Sequence, residues 1–215
     1  MKIESQCLPA SLNCQPVQPD FPASMESTDR VAYAAGWLAD NLADSYALKS
    51  APTSPLPGLT SNSAPGESPL NWLRGRNKCN QFAGDSLTWA GYEMPLYRMP
   101  DGSFHYRNAE ALPKAKQHFD SLSSTDNIRP GDLLVLDWKT RGENGAHVEV
   151  ITDFSTAQNR LSTLGAHPAG VEERSYTDLF RGDSIAGPFP HWEASSRSRG
   201  GYDVYVLRPL KELRE

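Results

Sequence analysis

The chain has 215 residues, 38% of them hydrophobic, and a formal net charge of −5. That length supports one compact domain with a buried core, and a mean hydropathy of −0.55 marks a rather polar chain. No apolar run approaches the roughly 18 residues that a membrane-spanning helix needs, and the 21 Lys and Arg are scattered, without the basic footprint that nucleic-acid binding demands.

The first residues, Met1-Lys2-Ile3-Glu4-Ser5-Gln6-Cys7, lack the apolar core and small-residue cleavage site of a secretory signal. The expectation is a protein made in the cytoplasm that leaves, if it leaves, by a route reading no N-terminal signal. Residues 1 to about 25 are rich in Ser, Pro and Gln and read as a flexible arm. Three cysteines cannot close a disulfide framework without a remainder. Cys7 and Cys14 are read as free thiols in that arm, or as a pair, and Cys79 stands alone in a structured context.

From Ser27 to about Leu48 the apolar positions Val31, Ala34, Ala35, Leu38, Leu42 and Tyr46 recur at helical spacing, behind a Ser27 or Thr28 cap. Ser50 to Pro69 is dense in Pro, Ser and Gly and reads as a long loop. A second helix is predicted from Lys78 or Cys79 to Ala90, with Phe82, Ala83, Leu87 and Ala90 inside and Gly91 as its stop. Glu93 to Tyr106 reads as an ordered surface loop, and Asn108 to Phe119 as a short helix interrupted by Pro113.

The period then changes. Strands are predicted at Leu133 to Asp137, His147 to Ile151, Arg160 to Leu164, Gly170 to Ser175 and Tyr202 to Leu207. Helices first and strands afterwards make an α+β domain with N-terminal helices packed on a central antiparallel sheet. The expected organisation is an arm over 1–25, a helix with a Pro/Ser-rich loop over 26–70, and a catalytic domain over 71–215.

The chemistry centres on Asn77-Lys78-Cys79-Asn80-Gln81-Phe82 and Gly145-Ala146-His147-Val148. A helix N-terminus carries partial positive charge and favours a thiolate. A histidine on a later strand supplies the base that holds it, then the acid that protonates a departing amine. Backbone N–H groups at the helix start suit a tetrahedral oxyanion. His105, His118 and His191 show no metal-ligand spacing with one another or with Cys and are read as structural or exposed. Trp72, Trp89 and Trp138 are read as core or cleft-wall residues, and Asp40, Asp44 and Glu110 as solvated helix faces.

Three segments together resemble the NlpC/P60 and CHAP families of papain-like cysteine peptidases and amidases. Cys79-Asn80-Gln81-Phe82 matches their Cys followed by a small or polar residue and an aromatic. Pro130-Gly131-Asp132-Leu133-Leu134-Val135 matches the Pro-Gly-Asp that leads into their first core strand, and Gly145-Ala146-His147-Val148-Glu149-Val150 their Gly-His-Val strand start. The likeness spans about residues 70 to 210. One departure is Glu149, where these families usually place a small residue; by strand alternation it points to the same face as His147.

The resemblance implies a papain-like fold, Cys79 as nucleophile, His147 as base and acid, and His167 as the first choice for the group that orients the imidazole, with Glu149 and Asp153 in reserve. It implies peptidoglycan peptide stems as substrate, no cofactor and no metal. A small amidase without a signal peptide or wall-binding module is similar to antibacterial effectors delivered by type VI secretion. That implies a monomer acting in the target-cell periplasm, with a cognate immunity protein as partner. Two alternatives stay open: a cysteine protease or deamidase acting on a protein, and a papain-fold binding module that has lost its chemistry.

Overall fold

The computed structural model describes residues 20–50, 73–100, 102, 104–138, 145–177, 179–180, 203–210 and 212. Most of the expected N-terminal arm with Cys7 and Cys14, nearly all of the Ser50 to Pro69 loop, Trp72 and His191 lie outside these residues.

Helix α1 (Ser27–Leu42) buries Val31, Ala34, Ala35 and Leu38, a stripe of three- and four-residue steps that has no use except against a core. It stops short of the expected Leu48: a 3-10 turn over Ala43–Tyr46 follows and swings Tyr46 inward, edge-on to Phe82. Helix α2 (Cys79–Trp89) is buried almost all round. It ends as the glycine signal requires. Gly91 has φ +89°, its N–H bonds Thr88, and the Tyr92 N–H reaches back to Leu87, which satisfies two orphaned carbonyls of the last turn. Trp37 of α1 meets Trp89 of α2 edge-on, with ring centroids 4.9 Å apart.

Among the described residues eight strands follow: β1 (Leu96–Arg98), β2 (Phe104–Tyr106), β3 (Phe119–Ser121), β4 (Leu133–Asp137), β5 (Ala146–Ser155), β6 (Arg160–His167), β7 (Gly170–Thr177) and β8 (Asp203–Pro209). β1 and β2 form a separate pair, and the other six form one sheet in the order β3-β8-β4-β5-β6-β7. All pairings are antiparallel. Leu133, Val135, Val148, Val150 and Leu207 share a core with the two helices. Leu134, Leu136, Ile151, Leu161, Val204 and Val206 form a second core with Leu122, Ile128, Leu179 and Phe180. With both faces covered, β4 is an unbroken apolar run rather than an alternating one.

Three local readings change. The segment Glu93 to Tyr106 is not a loop throughout, because β1 and β2 pair across it. The helix expected over Asn108 to Phe119 shrinks to a 3-10 segment, Ala109–Lys114, since Pro113 lacks the N–H that an α-turn needs. Phe119 instead opens β3 on the sheet edge, paired with β8. The third predicted strand runs on past Leu164 to His167.

The turn before β4 locks the helices to the sheet. Gly131 has φ +91°, and a Cβ there would lie 1.9 Å from the Thr28 carbonyl oxygen at the start of α1, so only glycine fits. Asp132 is fully buried; it accepts the Arg129 N–H and both arms of the Arg208 guanidinium at 2.9 and 2.8 Å. The same guanidinium also donates to the Asn127 carbonyl.

Candidate active site

Cys79 begins α2, and the Lys78 cap position supplies no side-chain bond, which leaves the first helical amides for other acceptors. The thiol is 7% exposed and is the free cysteine among the described residues. His147 hydrogen-bonds its sulfur, and the backbone N–H groups of Val148 and Asn80 point at it as well.

The residue before Cys79 is pinned. The Lys78 ammonium is buried and donates to three backbone carbonyls, those of Ala47, Leu48 and Arg76, at 2.7, 3.1 and 3.2 Å. The Leu48 N–H bonds the Pro168 carbonyl, just past the end of β6. The chain on one side of Cys79 is thereby tied to the chain on one side of His167.

His147 lies near the start of β5 opposite Leu136, and Glu149 two residues on, opposite Leu134. Glu149 Oε1 accepts from His147 Nε2 at 2.9 Å and from His167 Nε2 at 3.0 Å. Its other oxygen accepts from Thr163 of β6 and, at 3.0 Å, from Tyr176 of β7. An ionised carboxylate only accepts, so each imidazole carries its proton on Nε2. In His147 that leaves Nδ1 for the sulfur. The two rings lie 4.7 Å apart, centroid to centroid.

Packing explains why Glu149 can sit there. Gly165 stands beside it on β6, and a Cβ at that position would come within 2.7 Å of Glu149 Cγ. The sequence Thr163-Leu164-Gly165-Ala166-His167 thus places a hydroxyl, a gap and an imidazole on one face of a single strand.

Charge follows from this geometry. Burial pushes the Cys79 thiol up, but the His147 bond and charge, with the Val148 and Asn80 amides, hold it below its ordinary value. Burial lowers His147, yet its bonds to Cys79 and Glu149 and their charges raise it to about 9. Burial raises Glu149, and the imidazole and hydroxyl donors overcome that and hold it well below the usual carboxylate range. The Cys79 and His147 shifts both favour a thiolate–imidazolium pair over a neutral thiol and imidazole.

The cluster opens into a cleft of about 190 Å³. Its walls include Asn77, Trp138 and Arg174, with Gly145, Ala146 and Ala166 keeping the approach to the sulfur narrow in side chain and wide in space.

Cys79, His147 and His167 therefore meet in one place, but His167 touches Glu149, and Glu149 is the group on His147. Asp153 lies away from the cluster, 61% exposed and paired with Arg160. His105 meets Tyr97 edge-on and His118 faces Glu93. Thr163 and Tyr176 had no sequence signal of their own; only strand register brings them to Glu149. The donor atoms of His147, Glu149 and His167 also lie within 4.8 Å of one another, close enough to share a metal ion.

The class defined so far is an α+β protein with helices on an antiparallel sheet and a Cys–His–Glu–His cluster in a cleft. No family model, no curated protein and no solved structure matches the chain.

Proposed function

We propose that this protein is a cysteine amidase or endopeptidase that hydrolyses amide bonds in peptidoglycan peptide stems on a papain-like fold of the NlpC/P60 and CHAP kind. The observation that carries the reading is the continuous hydrogen-bonded series from Cys79 through His147 to Glu149 at the cleft. The substrate rests on the resemblance of the segments around Cys79, Gly131 and His147 to those families. The same resemblance supports an antibacterial effector acting in a target-cell periplasm and held in check by an immunity protein over the cleft.

In this mechanism the Cys79 thiolate attacks the amide carbonyl, and the backbone N–H of Cys79 at the start of α2 stabilises the oxyanion. His147, protonated at neutral pH, gives its proton to the leaving amine. Water then enters with His147 as base and releases the acid from the thioester. Glu149 fixes the ring and balances its charge through the second nitrogen.

Cys79→Ala is expected to abolish lysis of purified sacculi with no change in the thermal melt, and mass spectrometry of digested muropeptides identifies the bond. Sacculus lysis by that variant rules the mechanism out. Intact sacculi together with a cleaved or deamidated protein substrate move the enzyme to the other cysteine-hydrolase class. Equal toxicity on expression in the cytoplasm and the periplasm of a sensitive host counts against a wall target.

A further inference from the structure

We propose that His147, Glu149 and His167 form a site for a single Zn²⁺ ion, and that its occupation switches the Cys79 centre off. The two Nε2 atoms converge on one carboxylate oxygen at 2.9 and 3.0 Å, with all three donor atoms inside 4.8 Å. Two imidazole nitrogens and a carboxylate oxygen are a donor set that tetrahedral Zn²⁺ accepts, at about 2.0–2.2 Å per bond. Imidazole donors disfavour Mg²⁺ and Ca²⁺, which take oxygen.

Donors around such an ion stand about 3.4 Å apart. The nitrogens must therefore spread slightly from the shared oxygen and draw toward each other. His147 has the freedom to do this, at the strand start with its side chain 16% exposed. Both histidines line the cleft, so the fourth position opens to water. Glu149 is not a solvated surface acid. It is buried, and its second oxygen is held by Thr163 and Tyr176, the kind of outer support that keeps a ligand aimed. Arg174 also lines the cleft, and its charge tempers the affinity.

The ion takes the Nε2 lone pairs of His147 and His167, and the protons that were on these nitrogens pass to solvent, His167 carrying its one ring proton on Nδ1 instead. A metal-bound ring holds its remaining Nδ1 proton too tightly to serve a leaving amine, so hydrolysis stops. The inhibitory half rests on the hydrolase reading above, and the binding half does not.

Calorimetric titration of the metal-free full chain with zinc chloride is expected to show one Zn²⁺ per chain. Cys79→Ala keeps that binding. His167→Gln, whose amide still donates to Glu149, weakens it about tenfold or more while the zinc-free thermal melt is unchanged, and His147→Gln, the second variant, weakens it by the same route. Co²⁺ gives the visible bands of a tetrahedral site in Cys79→Ala and not in His167→Gln. Binding that survives both glutamine substitutions, or is lost in Cys79→Ala, overturns the site; the second result puts the metal on the thiolate. Stoichiometric zinc with undiminished sacculus lysis overturns the switch. A chain that binds zinc through these residues and never lyses sacculi overturns the hydrolase reading and leaves the metal site standing.

Discussion

Four donors converge on the carboxylate of Glu149, two imidazoles on one oxygen and two hydroxyls on the other. A buried charge is tolerated only when it is met in this way. Its effect on the proposed hydrolysis runs through His147, which it helps to raise to about 9. The thiolate–imidazolium pair then exists above the lowered Cys79 value and below about 9, so activity is expected to hold through neutral pH and fall on the alkaline side. Glu149→Gln keeps the shape and removes the charge. The expected result is a kcat lower by about 100-fold or more and an alkaline limb moved to lower pH, read from the pH profile of kcat/KM. An alkaline limb that stays near 9 argues that Glu149 does not act on the imidazole. The sequence pointed to Cys79 and His147 because each opens a recognisable element. It ranked His167 above Glu149 because the resembling families often put a polar residue, commonly His, on the strand after the base, and it read Gly165-Ala166-His167-Pro168 as a turn of uncertain register. In the folded chain the run is the end of β6, and from there His167 reaches Glu149, not His147.

Among the elements, α1, α2, β4, β5 and β8 were legible because each carries a period or a stop that one chain displays by itself. Gly91 ended α2, and the run Leu133 to Leu136 could only be buried. The short strands were not legible. β1, β2 and β3 have three residues each, too few for alternation, and are defined by what they pair with. Thr163 and Tyr176 are hidden for the same reason, since register between strands is written in no single segment. Gly165 is where strand packing and chemistry meet. Gly165→Ala leaves the backbone conformation permitted but drives a methyl group into Glu149 Cγ, an overpacking that costs about 1–3 kcal/mol. Catalysis is expected to suffer more than stability, with kcat down about tenfold and slower alkylation of Cys79 by iodoacetamide near neutral pH. Full activity in a variant with a lowered melting temperature separates a packing role from a positioning one.

At the scale of the whole molecule, Asp85 joins three parts of the fold. Its buried carboxyl accepts from Tyr46 after α1 at 2.8 Å, from Gln81 one turn back in α2 at 2.9 Å, and from Tyr106 of β2 at 3.2 Å. Burial raises it to about 7, against the three hydrogen bonds that lower it. The unfolded chain titrates this group near 3.9, so the folded state holds the proton more tightly. The stabilisation is complete below about pH 4 and is lost as pH rises through about 7, a difference on the order of 4 kcal/mol. Asp85→Asn, neutral throughout, is expected to flatten that part of the melting-temperature profile between about pH 5 and 8. Parallel profiles for the two proteins would show that Asp85 is not the group responsible. The sheet order adds a consequence in time. β8 lies between β3 and β4, yet it is made after the other described strands, so β4, the neighbour of the His147 strand, has an open edge until residues 203–209 leave the ribosome. Cys79 and His147 are synthesised long before that, but the sheet that sets them against each other closes only once β8 has been made. A cell translating the protein therefore holds an incomplete site from the synthesis of Cys79 until β8 has emerged.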